Sequence, residues 1–198
     1  NTTGVENVAV GERALCTATT ASCNVALGQQ ALQSTTTGSS NIAIGKSTMY
    51  ANTTGTESVA NGFNALNLST TGNWNVAVGY RAMKTSTTAS WSTAVGHHAL
   101  CGVTTGCQNT AFGNGAGDGV TTGECNILIG VDADTSCGSH CNQIVIGRGS
   151  NGAGTNKTVI GNPNTTNTYL CGALSKSSGT FLIPHPDPAK TETKDLQH

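Results

Sequence analysis

The sequence is poor in nearly everything that catalytic and nucleic-acid-binding domains rely on. Charged residues make up only 10% of its 198 positions, against roughly 25% in an ordinary soluble domain. Nine Lys and Arg offset ten Asp and Glu, leaving a net charge of −1 with no cationic cluster. Nucleic acid is excluded as a partner on that ground, because its phosphates must be met by several cations. No apolar run approaches the length of a membrane span, so membrane insertion is not expected. There is no Gly-x-Ser-x-Gly elbow and no phosphate-binding loop. Glu6, Glu12, Glu57, Asp118 and Glu124 have no second acid one repeat away, as a glycosidase pair drawn from neighbouring coils would need. The chain reads as a non-enzyme without cofactor or metal. It also lacks a signal peptide and begins with Asn1, which reads as a processed or excised piece of something longer.

Low charge together with low hydrophobicity is compatible with disorder, but disordered chains carry high net charge and few β-branched residues. Here Val, Ile and Thr recur at set places among 26 glycines. Eight cysteines in so polar a chain point to an oxidising, extracellular setting. Five sequons, at Asn1, Asn52, Asn67, Asn156 and Asn164, lean weakly the same way in a chain rich in Asn and Thr.

The repeat decides the architecture. A glycine closes each short apolar run at Gly11, Gly28, Gly45, Gly62, Gly79, Gly96, Gly113, Gly130 and Gly147, every interval being 17 residues. Ahead of it runs a large–small–large triplet such as Val25-Ala26-Leu27 or Val76-Ala77-Val78, the period-2 signature of a strand. A second short strand is expected at Ala-Leu pairs such as Ala31-Leu32 and Ala65-Leu66, and Thr-Thr-Gly marks the turn. Helical repeats need 30 or more residues and leucine-rich repeats more leucine. The fold class is therefore all-β, a parallel β-solenoid of 17-residue coils over residues 1–150. A shorter coil and neck are expected over 151–174, where Val159-Ile160-Gly161 follows after 14 residues, and an extended segment over 175–198. The triplet looks dry on both faces, so it requires a partner sheet on each side. One is the second strand of the coil. The other is most economically a neighbouring chain, with threefold closure as a homotrimer.

The unit Asn75-Val76-Ala77-Val78-Gly79-Tyr80-Arg81-Ala82-Met83 resembles the head repeat of trimeric autotransporter adhesins, and also phage and algal-virus fibre proteins. The resemblance covers about residues 1–161. It implies a left-handed β-roll wound as a homotrimer, on a virion or cell surface. Ser178 to Pro188 resembles the junction before the self-cleaving C-terminal chaperone of such fibres, which makes His198 the expected processing end.

Trp74 and Trp91 stand one repeat apart, so their rings are expected to stack into a ledge for the apolar faces of a cell-surface carbohydrate, or else to cover a core edge or subunit seam. Asn61 interrupts an apolar column and, in a trimer, would bring three amides together at the axis to set register. Disulfides are expected within turns, Cys16 with Cys23, Cys101 with Cys107 and Cys137 with Cys141, leaving Cys125 and Cys171 to pair together or across chains. Zinc at Cys137–His140–Cys141 and calcium at Asp132 and Asp134 lack the further ligands those ions need. His97 and His98 are expected on opposite faces. The expected function is multivalent attachment of an extracellular trimeric fibre to a surface glycan. The alternatives are a filament that only spaces, and ice binding through stacked Thr-Thr pairs.

Overall fold

The computed structural model describes residues 1–166 and two short strands at 182–184 and 191–193. The chain divides into two units, Asn1–Thr166 and Asn167–His198. In the second, Leu182–Pro184 (β11) pairs antiparallel with Thr191–Thr193 (β12), Leu182 facing Thr193. Cys171, His198 and the expected neck from Thr168 to Leu174 lie outside the described residues.

The first unit is a parallel β-solenoid with no helix among the described residues. Each coil contributes one three-residue strand: Val8–Val10 (β1), Val25–Leu27 (β2), Ile42–Ile44 (β3), Val59–Asn61 (β4), Val76–Val78 (β5), Thr93–Val95 (β6), Thr110–Phe112 (β7), Ile127–Ile129 (β8), Ile144–Ile146 (β9) and Thr158–Ile160 (β10). They form one sheet in chain order, and Ala43 lies over Ala60 as Ala60 lies over Ala77. The step is 17 residues up to β9 and 14 to β10, where Ile146 pairs with Ile160. Nine steps at about 4.8 Å give a rod about 43 Å long.

The small middle residue of the triplet faces inward. Ala26, Ala43, Ala60, Ala77, Ala94 and Ala111 are fully buried, while the large flanking residues point outward and remain partly exposed. The expected second strand is absent. Ala31-Leu32 and its equivalents are turns in which the large residue is left-handed, with φ of 50° at Leu32, 48° at Leu66 and 50° at Met83. That conformation costs about 1–3 kcal/mol for a residue other than glycine. It is over-determined by burial and by hydrogen bonds between coils. Leu32, Met49, Leu66, Met83 and Leu100 are fully buried, and Met83 N–H reaches the Ala99 carbonyl at 2.9 Å. Two residues earlier, left-handed Arg81 sends its N–H the other way, to Phe63 O at 2.9 Å. The alternation in handedness thus hands backbone donors to the coil above and the coil below in turn.

The glycine after each strand holds φ between 125° and 142°. A Cβ on Gly28 would sit 2.5 Å from the Gly45 carbonyl oxygen, so only glycine lets consecutive coils close there.

Inside the wall runs a polar ladder that the sequence reading passed over, although its column is plainly repetitive: Asn24, Asn41, Ser58, Asn75, Ser92, Asn109, Asn126 and Gln143 are all fully or almost fully buried. Each side-chain oxygen accepts the N–H of the next member, as Asn41 Oδ1 does from Ser58 at 3.1 Å and Ser58 Oγ from Asn75 at 3.1 Å. Each Asn amide also donates across the coil, Asn75 to Ala89 O at 2.8 Å. The Thr turns form a second ladder. Thr36 O accepts three successive N–H groups, from Thr19, Thr20 and Ala21 at 3.0, 3.2 and 3.3 Å, and the Thr19 hydroxyl at 2.9 Å.

Late coils exchange core volume between columns. Where the Leu column reaches Gly117, the Ala column reaches Leu128, and a Cβ on Gly117 would meet Leu128 Cδ1 at 2.6 Å and Leu100 Cδ2 at 2.8 Å. The next residue of the Leu column is Asp134, whose burial raises its carboxyl above the usual range. Asp118 beside it adds to the rise, and the N–H groups of Thr135 and Gly119 partly oppose it.

Candidate functional site

The outward face of the sheet carries the two flanking residues of every triplet, from Val8 and Val10 to Thr158 and Ile160. Val10 is 61% exposed, Phe112 60%, Ile44 37% and Ile129 39%. Singly exposed apolar residues are unremarkable, but a continuous two-column stripe along ten strands is not. Asn61 stands in this stripe, exposed, between Ile44 and Val78 in register. Its amide carries no burial cost in the single chain, since water reaches it.

Aromatic ladders bracket the stripe in its central coils. Two residues before the strand, Trp74 and Trp91 stack with centroids 5.0 Å apart and planes 13° apart, 43% and 57% exposed. Both are left-handed, at φ 54° and 56°, which turns the indoles outward just ahead of the strand. Trp74 Nε1 donates to Glu57 Oε2 at 2.9 Å, fixing one ring and leaving its face open. Two residues after the strand, Phe63 stacks on Tyr80 at 5.5 Å and Tyr80 on His97 at 5.0 Å. This second ladder escaped the sequence reading, although its residues stand 17 apart as the tryptophans do. The Arg81 guanidinium lies 4.9 Å from the Tyr80 ring centroid.

His97 and His98 correct the expectation of opposite faces. Their rings stack at 4.2 Å because His98 is left-handed, at φ 59°, and strand alternation ends at the preceding glycine. Burial, then His97 and Arg81, lower the His98 pKa, and its Nε2 is buried without a hydrogen bond.

Comparison with family models, curated proteins and solved structures found no match.

The expected disulfides are not formed: Cys16, Cys23, Cys101, Cys107, Cys125, Cys137 and Cys141 are free. The supposed partners belong to different columns and turn to different neighbours. Cys16 Sγ donates to Gln33 O at 3.7 Å in the following coil, whereas Cys23 Sγ donates to Glu6 Oε2 at 3.4 Å in the preceding one. Cys107 and Cys141 replace serine in a hydroxyl ladder. Cys107 Sγ accepts Ser90 N–H at 3.4 Å and Cys141 Sγ accepts Glu124 N–H at 3.3 Å, as Ser39 Oγ accepts Ser22 N–H at 3.1 Å. The Cys23 thiol is pushed up by its bond to Glu6 and the Cys101 thiol by burial, while the Ser139 hydroxyl lowers that of Cys137. His140 Nδ1 lies 3.0 Å from Ser136 Oγ. Of the sequons, Asn52 is fully buried and closed to a glycan in the folded chain, and Asn67 Nδ2 donates to Ser47 O at 2.8 Å. Asn1, Asn156 and Asn164 are exposed.

Proposed function

We propose that this chain is a segment of an extracellular, rotationally symmetric homotrimeric fibre on a virion or cell surface that attaches to surface carbohydrate through many weak contacts. The observation that carries the assembly is the outward stripe. Twenty half-exposed side chains present roughly 1,000 Å², above the ~300–600 Å² of the largest patch on a typical monomer and comparable with the ~800 Å² each partner gives to a stable interface. A second copy suits this surface because its pitch and length match by identity. Three copies around one axis repeat each weak site three times, which raises avidity without any new contact.

For the ligand, the support is the Trp74–Trp91 ledge, two parallel indole faces open to solvent at a spacing that spans a sugar ring. Light scattering on native protein tests the assembly: three chains of 19.9 kDa give about 60 kDa, and a particle of one chain would refute it. A printed glycan array tests the attachment. Signal that survives in Trp74→Ala/Trp91→Ala, with the mass unchanged, would remove the ledge from the reading.

One observation favours ice binding as a second reading. Thr20, Thr37, Thr54, Thr71, Thr88, Thr105 and Thr122 form an exposed column. Against it, the adjoining Thr column has its hydroxyls tied to carbonyls, as Thr53 Oγ1 is to Thr70 O at 3.1 Å, so only one rank is free. Thermal hysteresis would restore this reading at the expense of the glycan. A spacer would show the trimer mass with neither binding activity.

A further inference from the structure

The two aromatic ladders occupy the same central coils but opposite ends of the strand. Trp74 stands two residues before β5 and Tyr80 two residues after it. Trp91 and His97 stand likewise about β6. Six residues at ~3.3 Å each put as much as ~20 Å of chain between the two flanks, and each stack runs along its own column, with no ring pair joining the flanks among the described residues. Neither ladder can therefore close on a ligand with help from the other within one chain.

We infer that the Trp74–Trp91 ledge of one copy and the Phe63–Tyr80–His97 ladder of the next are the two walls of one groove at each subunit seam, and that the sugar-binding site is complete only there. The inference rests on the rotational assembly proposed above and adds where the site lies and what builds it. Any rotation axis running along the rod keeps each coil level with the same coil of its neighbour. Because the strands cross the rod, the leading end of one copy's strand faces the trailing end of the neighbour's. Trp74 then stands level with Tyr80 of the partner subunit, and Trp91 with His97 of the partner subunit.

Two independent features of the single chain fit this arrangement. The ladders share a pitch, 5.0 Å between the indoles and 5.5 and 5.0 Å along the opposite column, so facing rings stay level over successive coils. They also share a height. Before these coils the Trp column reads Glu6, Cys23, Ser40 and the other reads Glu12, Gln29, Lys46. Aromatics thus gather on both flanks in the same coils. A groove walled by rings on both sides takes a pyranose edgewise, its C–H faces against the rings. Glu57, bonded to Trp74, and Arg81, over Tyr80, stand at its rims to meet hydroxyls.

The two tryptophans are the only ones in the chain, so their fluorescence reports one wall alone. The test is Tyr80→Ala, which alters only the opposite wall, read by native light scattering, acrylamide quenching and the glycan array. The expected result is an unchanged trimer mass, a Stern–Volmer constant at least twofold higher and an array signal at least tenfold lower. A trimer whose quenching stays within a few per cent of wild type overturns this inference and leaves the assembly standing. A wild-type particle with the mass of one chain removes both. Should Tyr80→Ala dissociate, His97→Ala probes the same wall at Trp91 and is judged by the same quenching criterion. Array silence of the wild type with quenching raised twofold keeps the seam groove and refutes the sugar.

Discussion

Replacing Asn75 tests whether the buried polar ladder holds consecutive coils together. Asn75 Oδ1 accepts the N–H of Ser92 at 3.0 Å, and its Nδ2 donates to the Ala89 carbonyl at 2.8 Å. Ser92 and Ala89 are both fully buried, so water cannot substitute for the lost side chain without entering the wall. Asn75→Ala orphans one donor and one acceptor, and at about 1–3 kcal/mol for each buried group the cost is about 2–6 kcal/mol. That is a large part of the ~5–15 kcal/mol that holds an ordinary domain folded. Asn75→Ser is the discriminating control. Ser58 and Ser92 already serve in this column, and Ser92 Oγ accepts Asn109 N–H at 3.2 Å. Serine at 75 therefore keeps the acceptor and forfeits only the bond to Ala89, at about 1–3 kcal/mol. Urea unfolding at one fixed protein concentration gives the two values, fixed because assembly makes stability depend on concentration. Hydrogen exchange at the Ser92 amide localises the effect, with protection lost in the Ala variant and retained in the Ser variant. Equal costs for the two variants, or a Ser92 amide still protected in Asn75→Ala, would show that the ladder is not what joins these coils.

Other perturbations follow from the same geometry. Gly28→Ala places a methyl 2.5 Å from a backbone carbonyl at φ 137° and is expected to cost at least about 2 kcal/mol, read as a lowered melting temperature. Leu128→Ala alone should cost about 2–5 kcal/mol, and adding Gly117→Leu, which restores the column order of earlier coils, should recover a good part of it. A double-mutant cycle with no coupling would disprove the exchange of volume. Cys107→Ser keeps an acceptor for Ser90 N–H and is expected within about 0.5 kcal/mol of wild type. Reductant should leave the melting temperature unmoved, and at least seven thiols should be alkylated after unfolding. The raised carboxyl of Asp134 binds its proton more tightly when folded. Its stabilising contribution is therefore full below the ordinary carboxylate pKa and is lost as pH rises through the folded value. Asp134→Asn should flatten that part of the pH–stability profile, and an unchanged slope would count against the burial argument.

The regular step of the glycine and the triplet made the winding legible from the amino acids alone. Identical residues at identical intervals can only satisfy their backbone groups by stacking, so register followed from spacing without reference to any distant contact. The pairing of the tryptophans followed for the same reason. What spacing does not specify is direction across the wall. Whether Ala77 or Val76 faces inward depends on how the rest of the coil closes, and there the left-handed residues decide. Met83 and Leu66 look like strand residues by type, yet they turn because the coil above and the coil below each need a donor from the same few residues. That same handedness stacks His98 on His97 and separates Cys16 from Cys23, and only the folded chain displays it.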